Sequence, residues 1–257
     1  MGKIIAIVNQ KGGVAKTTTA INLSAALGAQ GKKVLLIDLD PQGNATSGLG
    51  MDRRELEHCV YDVLINGAPP QAVIKETDFT NLSLLPATIQ LAGAEVELVN
   101  AISRENKLRR AIRPLSPYYD YIFIDCPPSL GLLTVNALAC AGSVMIPLQC
   151  EYYALEGLTQ LLNTYQLVKN NLNPDLSLEG VLLTMFDSRT NLSAQVAEEA
   201  RNYFGKLVYE TVISRSVKLS EAPSHGVPGV FYDQKARGAE EYQQLAKEFL
   251  QREVKHG

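Results

Sequence analysis

The chain has 257 residues, of which 46% are hydrophobic, and its 24 basic and 27 acidic side chains give a net charge of −3. This length and apolar content allow one large α/β domain or two small ones, each with a substantial core. A net charge this close to zero argues against coating of nucleic acid by electrostatics alone, so any such contact must come from a local basic patch.

The cysteines and the start of the chain favour an intracellular protein. No cysteine pair has CxxC or metal-ligand spacing, so we expect buried free thiols in a reducing compartment at Cys59, Cys126, Cys140 and Cys150. The chain begins with a strand-like run, residues 3–8, instead of a signal peptide. No run of about 18 apolar residues predicts a membrane span, and we expect a soluble, cytoplasmic protein.

Short β-branched runs alternate along the chain with longer amphipathic segments. Strands are predicted at 3–8, 33–38, 82–85, 121–125, 143–147, 178–184 and 207–212. Helices are predicted at 17–29, 130–139, 154–169, 192–204 and 239–251. Several strands are apolar on both faces, as strands covered by helices on each side must be, and no linker or repeat divides the chain. The pattern predicts a single α/β domain over residues 1–257, with a doubly wound, mostly parallel sheet flanked by helices.

A glycine-rich turn lies between the first predicted strand and the first predicted helix. It reads Asn-Gln-Lys-Gly-Gly-Val-Ala-Lys-Thr-Thr over residues 9–18. Backbone N–H groups at such a helix start can surround phosphate oxygens, with Lys16 reaching the β- and γ-phosphates and the Thr17 hydroxyl binding Mg²⁺. The general pattern GxxxxGK[ST] fails at Gln10 and Ala15, so a plain glycine turn with a solvated lysine remains an alternative for the loop alone.

Carboxylates end two of the predicted strands. Asp38 and Asp40 follow the second strand, and Asp125 follows four apolar residues in a later one. A buried aspartate beside phosphates needs a partner, because an unpaired buried charge is costly. Asp125 has the Walker B arrangement, which holds Mg²⁺ through water, whereas Asp40 is either a helix cap or a group that acts at the phosphates.

These three motifs, in this order and each at a strand end, resemble the ParA/MinD group of P-loop NTPases. That group has a deviant Walker A loop with the pattern KGGxGK[ST]. The similarity to chromosomal ParA proteins of the Soj type covers essentially the whole chain, through DPQGNATSGLG, LPATIQLAGAEVE, QCEYYALEGLTQLL and LSEAPSHG. It implies a weak ATP hydrolase that uses ATP and Mg²⁺ in the partition of chromosomes or plasmids.

The resemblance also implies roles for individual residues. Lys11 is the group's extra lysine, which reaches across a dimer interface to the partner's nucleotide. Asp40 orients the attacking water, so that Lys11, Lys16 and Asp40 carry the catalysis. The phosphate-binding loop comprises Lys11, Gly12, Gly13, Val14, Ala15, Lys16, Thr17 and Thr18. Mg²⁺ is held by Thr17 and, through water, by Asp125 and Asp40, and the base lies between Met185 and a loop that contains Ser214 and Ser216.

Three positions depart from the family pattern. Ala15 stands where the family has glycine, a residue that can approach a phosphate closely or adopt backbone angles that disfavour a Cβ. We expect strain of about 1–3 kcal/mol at Ala15 and weakened nucleotide binding or dimer closure. Ser214 and Ser216 replace a proline and an asparagine, which removes a rigid apolar wall beside the base.

The resemblance further implies partners and a location. In the ATP state the chain is expected to form a homodimer that binds double-stranded DNA non-specifically through Arg189, Lys218 and Arg215, with Lys235 or Arg237 as additions. A ParB-type centromere-binding protein is expected to stimulate hydrolysis. The implied location is the bacterial cytoplasm, in association with the nucleoid.

Other readings stay open at this stage. A MinD-like, membrane-associated positioning ATPase shares the loop, but no membrane anchor is evident, since the apolar side chains of the C-terminal helix alternate with glutamates. A nitrogenase-reductase-like electron carrier or a metabolic ligase or kinase would need cluster cysteines or an acceptor pocket that the sequence does not indicate. We expect no catalytic role for His58 or His225, and we expect Tyr152 and Tyr153 to pack.

Overall fold

The computed structural model describes residues 2–151 and 156–256, with all side chains except those of 156, 157 and 254–256. Within these residues the strands form one seven-stranded sheet in the order β3-β4-β2-β5-β1-β6-β7. Their bounds are Lys3–Ile7 (β1), Val34–Asp38 (β2), Lys75–Glu76 (β3), Leu82–Leu85 (β4), Tyr121–Asp125 (β5), Ser143–Gln149 (β6) and Ser177–Thr184 (β7). All neighbouring strands are parallel except β3 and β4, which confirms the predicted doubly wound, mostly parallel sheet.

Helices cover both faces of the sheet. The α-helices are Lys16–Ala29 (α1), Asn44–Gly48 (α2), Pro70–Val73 (α3), Leu91–Glu97 (α4), Lys107–Ile112 (α5), Leu132–Cys140 (α6), Glu156–Asn171 (α7), Asn191–Phe204 (α8), Val217–Glu221 (α9), Gly229–Tyr232 (α10) and Arg237–His256 (α11). A π-helical turn at Asp62–Asn66 and 3₁₀ turns at Leu98–Asn100, Arg104–Asn106, Arg113–Leu115, Gly205–Leu207 and Ala222–His225 complete them. None of the described helices has the length and apolar character that crossing a membrane requires.

The strand residues alternate between two cores, as the period of two along a strand dictates. Leu35 and Ile37 of β2 face the side that α4 to α8 cover, while Val34 and Leu36 face α1 and α11. The apolar side of α11 is fully buried against the sheet, through Tyr242, Leu245, Ala246 and Phe249. The central strands are thus buried on both faces, which explains their continuous apolar runs.

The strand register brings the two motif-bearing strands side by side. In the parallel ladder, Asp38 of β2 and Ile7 of β1 both pair with Asp125 of β5. The carboxyl ends of β1, β2 and β5 therefore meet at one edge of the sheet. In open α/β sheets this edge is where ligands bind.

The strand predicted at 207–212 is wrong. Within the described residues this segment contacts the sheet through one isolated bridge, Val208 with Val181 of β7, where the Tyr209 N–H donates to the Val181 carbonyl at 2.9 Å. The backbone N–H groups of Glu210 and Thr211 instead donate to the Glu248 carboxylate on α11, at 2.8 Å each. The N–H groups of this region are thus shared between β7 and a side chain of the last helix, and no continuous ladder forms.

Other differences concern short elements and boundaries. The two-residue edge strand β3 and the short helices α2 to α5 were not predicted, because they are too brief to show a period. The last helix is longer than predicted, and the helix predicted from residue 154 is described from Glu156. Tyr152 and Tyr153 lie outside the described residues, and all four cysteines are buried and free, as predicted.

Candidate functional site

Residues 8–15 join β1 to α1 and are held from two neighbouring strands. The Asn9 side chain donates to the Pro147 carbonyl at 2.7 Å and accepts from the Lys11 N–H at 3.0 Å. The Thr184 hydroxyl, at the end of β7, donates to the Val14 carbonyl at 3.1 Å. These bonds fix both halves of the loop above the carboxyl ends of β6 and β7.

The middle of the loop presents free backbone N–H groups to solvent. Gly12 and Gly13 are exposed, Gly13 has a φ of +73°, and a Cβ at either position would meet no atom within 4 Å. Within the described part of the chain, the N–H groups of Gly12, Gly13 and Val14 donate no hydrogen bond. Together with the unpaired N–H groups and the positive dipole end of α1, this arrangement fits a bound phosphate.

Ala15, the N-cap residue of α1, has a left-handed backbone, with φ 65° and ψ 32°. For an L-residue with a Cβ this conformation costs roughly 1–2 kcal/mol. The structure therefore contains the backbone angles that made a glycine the expected residue at this position. The consequence for nucleotide binding remains a prediction.

The two lysines of the loop point to different places. The Lys16 ammonium is nearly buried and donates to the Lys11 carbonyl at 3.1 Å. Burial lowers the pKa of Lys16, and the nearby Asp125 and Asp40 carboxylates act in the opposite direction. The Lys11 ammonium lies at the protein surface, 3.7 Å from the Glu151 carboxylate.

Asp125 is the most unusual group at this edge of the sheet. Both of its carboxylate oxygens are buried and have no hydrogen-bond partner among the described residues. Burial and the negative charge of Asp38 raise the pKa of Asp125, and the nearby Thr17 hydroxyl and Lys16 ammonium oppose this shift. The Thr17 hydroxyl and the Lys16 ammonium offset only part of the cost of burying this carboxylate, and a second cation would offset more of it, so the site fits Mg²⁺ held with Thr17.

Asp38 holds the chain between β2 and α2 in place. Its carboxylate accepts from the Thr46 N–H at 2.8 Å, from the Thr46 hydroxyl at 2.7 Å and from the Asp40 N–H at 3.2 Å. Burial raises the pKa of Asp38 to about 6, against the lowering effect of these bonds. We assign Asp38 a structural role, since its lone pairs are already used inside the protein.

Asp40 lies at the turn that Asp38 supports. It is 6% exposed, and its Oδ1 accepts from the Gln42 N–H at 2.9 Å. Asp40 is close enough to Lys16 to act on its pKa. Lys16, Asp40 and Asp125 are therefore brought together, as the motif order predicts.

The two segments expected beside the base also meet. Met185, with a φ of 51°, directly follows β7, and its neighbour Phe186 forms a parallel bridge with Ser214. The Ser214 N–H and hydroxyl both donate to the Glu241 carboxylate, each at 2.7 Å. The Ser216 hydroxyl accepts from the Leu219 N–H at 3.5 Å and caps α9.

Glu241 was missed at the level of sequence. It follows Ser214 by 27 positions and belongs to a helix whose acidic face reads as ordinary solvated surface. No spacing signal connects the two residues. Only the packing of α11 beneath the loop brings them together.

The basic residues expected at DNA are each paired with an acid. Arg189 forms two bonds with Asp187, at 2.9 and 2.7 Å, while Arg215 and Lys218 pair with Glu151 at 3.1 Å and Glu221 at 3.0 Å. Arg189 and, more weakly, Arg215 lower the pKa of Asp187, which places these two arginines in one region. Lys235 and Arg237 are also exposed, and Arg237 pairs with Glu241.

Comparison with known proteins gives close relatives over the full chain. The AAA domain family matches residues 2–178. The sporulation initiation inhibitor protein Soj of Bacillus subtilis is 64% identical over 248 residues, which cover 96% of this chain and 98% of that protein. The chromosome partitioning protein ParA of Myxococcus xanthus is 57% identical over 254 residues, which cover 99% of this chain and 90% of that protein.

Solved structures agree on the fold. Cobyrinic acid a,c-diamide synthase from Mycobacterium smegmatis, with a bound ATP analog and magnesium, superimposes with a TM-score of 0.85 at 42% identity and covers 98% of this chain and 95% of that one. The cell division ATPase MinD of Pyrococcus furiosus gives 0.80 at 28% identity, over 98% and 99% of the two chains. The loop, the paired strand ends and these full-length relatives agree: the chain belongs to the ParA/Soj family of chromosome-partitioning ATPases.

Proposed function

We propose that this chain is a dimerising switch ATPase, driven by ATP and Mg²⁺, that acts in the segregation of chromosomes or plasmids. The observation that carries the proposal is Asp125, a fully buried carboxylate with no hydrogen-bond partner among the described residues, close to Lys16 and Thr17. A protein keeps such a group when a bound cation completes it. The free N–H groups of residues 12–14 supply the matching phosphate site.

Different residues at the strand ends bind different parts of the nucleotide and its metal. The N–H groups of residues 12–18 and the Lys16 ammonium bind the phosphates, with Ala15 as the strained member of the loop. The Thr17 hydroxyl and, through water, Asp125 hold Mg²⁺, which neutralises charge on the phosphates when it is bound. Asp40 positions the attacking water, and Met185 with the loop of Ser214 and Ser216 borders the base.

The position of Lys11 supports a role between two subunits. Its ammonium lies outward and, among the residues that the structure describes, is engaged in a long, exposed pair with Glu151, a contact worth about 0–1 kcal/mol. It is therefore available to a second chain that docks on this edge. We propose that each Lys11 completes the nucleotide site of its partner, so that ATP stabilises the dimer.

The switch acts through the difference in affinity between its two states. The ATP-bound dimer presents two copies of the surface that carries Arg189, Lys218 and Arg215 to double-stranded DNA, and hydrolysis returns it to monomers. A ParB-type partner accelerates this slow hydrolysis. In this account the protein acts in the bacterial cytoplasm, on the nucleoid.

The described part of α11 does not favour the MinD-like alternative. A membrane-binding C-terminal helix needs an apolar face free to enter the lipid surface. In α11 that face is buried in the core through Tyr242, Leu245 and Phe249, and Glu241 and Glu248 are bonded to the preceding segment.

DNA binding with and without ATP tests the proposal. We expect the wild-type chain to retain DNA in Mg²⁺ and ATP and to lose it in ADP, and the Lys16→Ala variant to lose it in both. Binding that ignores the nucleotide, or that survives in Lys16→Ala, would refute the switch. An electrophoretic or optical binding assay at fixed salt measures both outcomes.

A further inference from the structure

Helix α5 carries a cationic surface far in sequence from the expected DNA residues. Arg109, Arg110 and Arg113 line a shallow cavity of about 520 Å³ with Asn106 and Pro114, and we call these five residues the α5 arginine surface. Helix α5 and the 3₁₀ turn Arg113–Leu115 that follows it are anchored in the core by three nearly inaccessible side chains: Leu108, Ile112 and Leu115. The arginines therefore project from a fixed platform.

The charge of this surface is not balanced by acids. None of its three arginines forms an ion pair within the described part of the chain, and no acidic residue lines its cavity. Residues 104–113 contain five basic side chains and one acid, Glu105, which is paired with Arg104. On a chain whose net charge is −3, this is a concentrated positive region.

The residues that the family resemblance assigns to DNA binding, unlike the three arginines, are paired with acids. Arg189, Arg215 and Lys218 each lie within 3.1 Å of a carboxylate oxygen, which offsets part of their charge, although Glu151 is shared between Arg215 and Lys11. A polyanion is attracted by charge that the protein itself leaves uncompensated. Arg109, Arg110 and Arg113 offer that charge without first breaking an ion pair.

We propose that the α5 arginine surface binds the phosphate backbone of double-stranded DNA. The inference rests on the proposed function and extends it to a second surface of the molecule. A planar guanidinium binds phosphate through two parallel hydrogen bonds, which favours arginine over lysine for this ligand.

The test removes two exposed positive charges from the α5 arginine surface and compares the resulting variant with one that loses two positive charges elsewhere. The variant is Arg110→Gln with Arg113→Gln, and the control is Lys75→Gln with Lys206→Gln, where both lysines are exposed and lie outside the surface. DNA affinity is measured with Mg²⁺ and ATP over a range of salt. Thermal unfolding and DNA-free ATP hydrolysis show that fold and nucleotide site are unchanged.

We expect the arginine variant to bind DNA on the order of tenfold more weakly, with a salt slope reduced by about 0.9 for each phosphate that it no longer neutralises. The control should stay close to wild type. Equal affinity and slope in the two variants would overturn the inference while leaving the proposed function intact. The inference would also be overturned if the arginine variant lost binding to phosphatidylglycerol vesicles while its DNA binding stayed at the wild-type level.

A wild-type chain that fails to bind DNA with ATP would instead refute the proposed function, and the DNA assignment of this surface would fall with it. The wild-type measurement therefore separates the two failures. The comparison of arginine and lysine variants is interpreted only against that baseline.

Discussion

Ala15, the last residue of the phosphate loop before α1, has a strained backbone. Its φ of 65° is one that glycine adopts freely and that an L-residue avoids. The next residue, Lys16, begins the helix and holds the phosphate-binding ammonium. Relief of the strain should thus affect both stability and nucleotide binding.

Substitution of Ala15 by glycine should raise the free energy of unfolding by about 0.5–1 kcal/mol. Relief of roughly 1–2 kcal/mol of strain is partly offset by the greater freedom of glycine in the unfolded chain. We also expect tighter ATP binding, measured by calorimetry beside urea unfolding.

The matched control is Ala92→Gly, at an exposed position in α4. The same change should lower stability there by roughly 0.5–1 kcal/mol, because the helix has ordinary angles. If Ala15→Gly destabilises the protein as Ala92→Gly does and leaves ATP affinity unchanged, the backbone strain at Ala15 affects neither stability nor ATP binding.

Asp125 should couple stability to pH. Burial raises the pKa of Asp125 in the folded state. The stability that the protonated Asp125 contributes is therefore fully present below the unfolded pKa of about 3.9, and it is lost as the pH rises through the pKa of the folded state. In the absence of nucleotide, Asp125→Asn should therefore be more stable than wild type at pH 8, by about 1–3 kcal/mol, with the difference shrinking towards pH 4. Urea unfolding across this range measures it.

The same variant should lose Mg²⁺-dependent ATP binding, since the carboxylate that completes the metal site is gone. An exposed carboxylate, Asp78, provides the control, because Asp78→Asn should change neither property. Lower stability of Asp125→Asn at pH 8 would show that the buried charge has a partner we have not identified.

At the scale of elements, α11 and β7 share the backbone N–H groups of residues 209–214. The Glu241 and Glu248 carboxylates of α11 accept those of Glu210, Thr211 and Ser214, while β7 accepts those of Tyr209 and Ile213. Glu241 holds both the N–H and the hydroxyl of Ser214, the residue that stands where the family has a proline. We infer that this carboxylate supplies the order that a proline ring would otherwise impose.

Glu241→Gln should therefore loosen the loop beside the base. One oxygen of the carboxylate becomes an NH₂ group that faces a donor, so we expect a loss of about 1–3 kcal/mol in stability and weaker ATP binding. Glu240→Gln, at the exposed neighbouring position, should be neutral. Reduced stability with an unchanged dissociation constant for ATP would confine Glu241 to the fold and exclude a role at the base.

At the scale of the whole molecule, variants of the two loop lysines should separate ATP binding from dimer formation. Lys16→Ala should lose nucleotide, whereas Lys11→Ala should keep ATP affinity within about fivefold, because the contact that the Lys11 ammonium makes within residues 2–151 and 156–256 is an exposed ion pair. Lys11→Ala should nevertheless remain monomeric with Mg²⁺ and a slowly hydrolysed ATP analog.

Light scattering after size exclusion distinguishes these outcomes, with Lys206→Ala as a control for the loss of one exposed charge. Dimers of Lys11→Ala as abundant as those of wild type would exclude the proposed contact between subunits. Asp40→Ala should give the opposite phenotype, dimers that persist in ATP because hydrolysis has stopped.

The local signals in the sequence were sufficient for the fold class and for the three motifs. Strands buried on both faces leave continuous apolar runs, a phosphate loop leaves its glycines and lysines, and a strand that ends at a ligand leaves an aspartate. These features depend on neighbours within a few residues. The order of Lys16, Asp40 and Asp125 along the chain then placed them at one edge of a parallel sheet.

Only the tertiary structure decided the features that depend on distant partners. The segment at 207–212 has the composition of a strand, yet Glu248 accepts the N–H groups of Glu210 and Thr211 because α11 packs beside it. The pairing of Ser214 with Glu241 and the burial of the Asp125 carboxylate beside Lys16 and Thr17 are likewise properties of packing. The physical reason is that side-chain hydrogen bonds across long sequence separations follow no periodic pattern along the chain, so they emerge only when the elements are assembled.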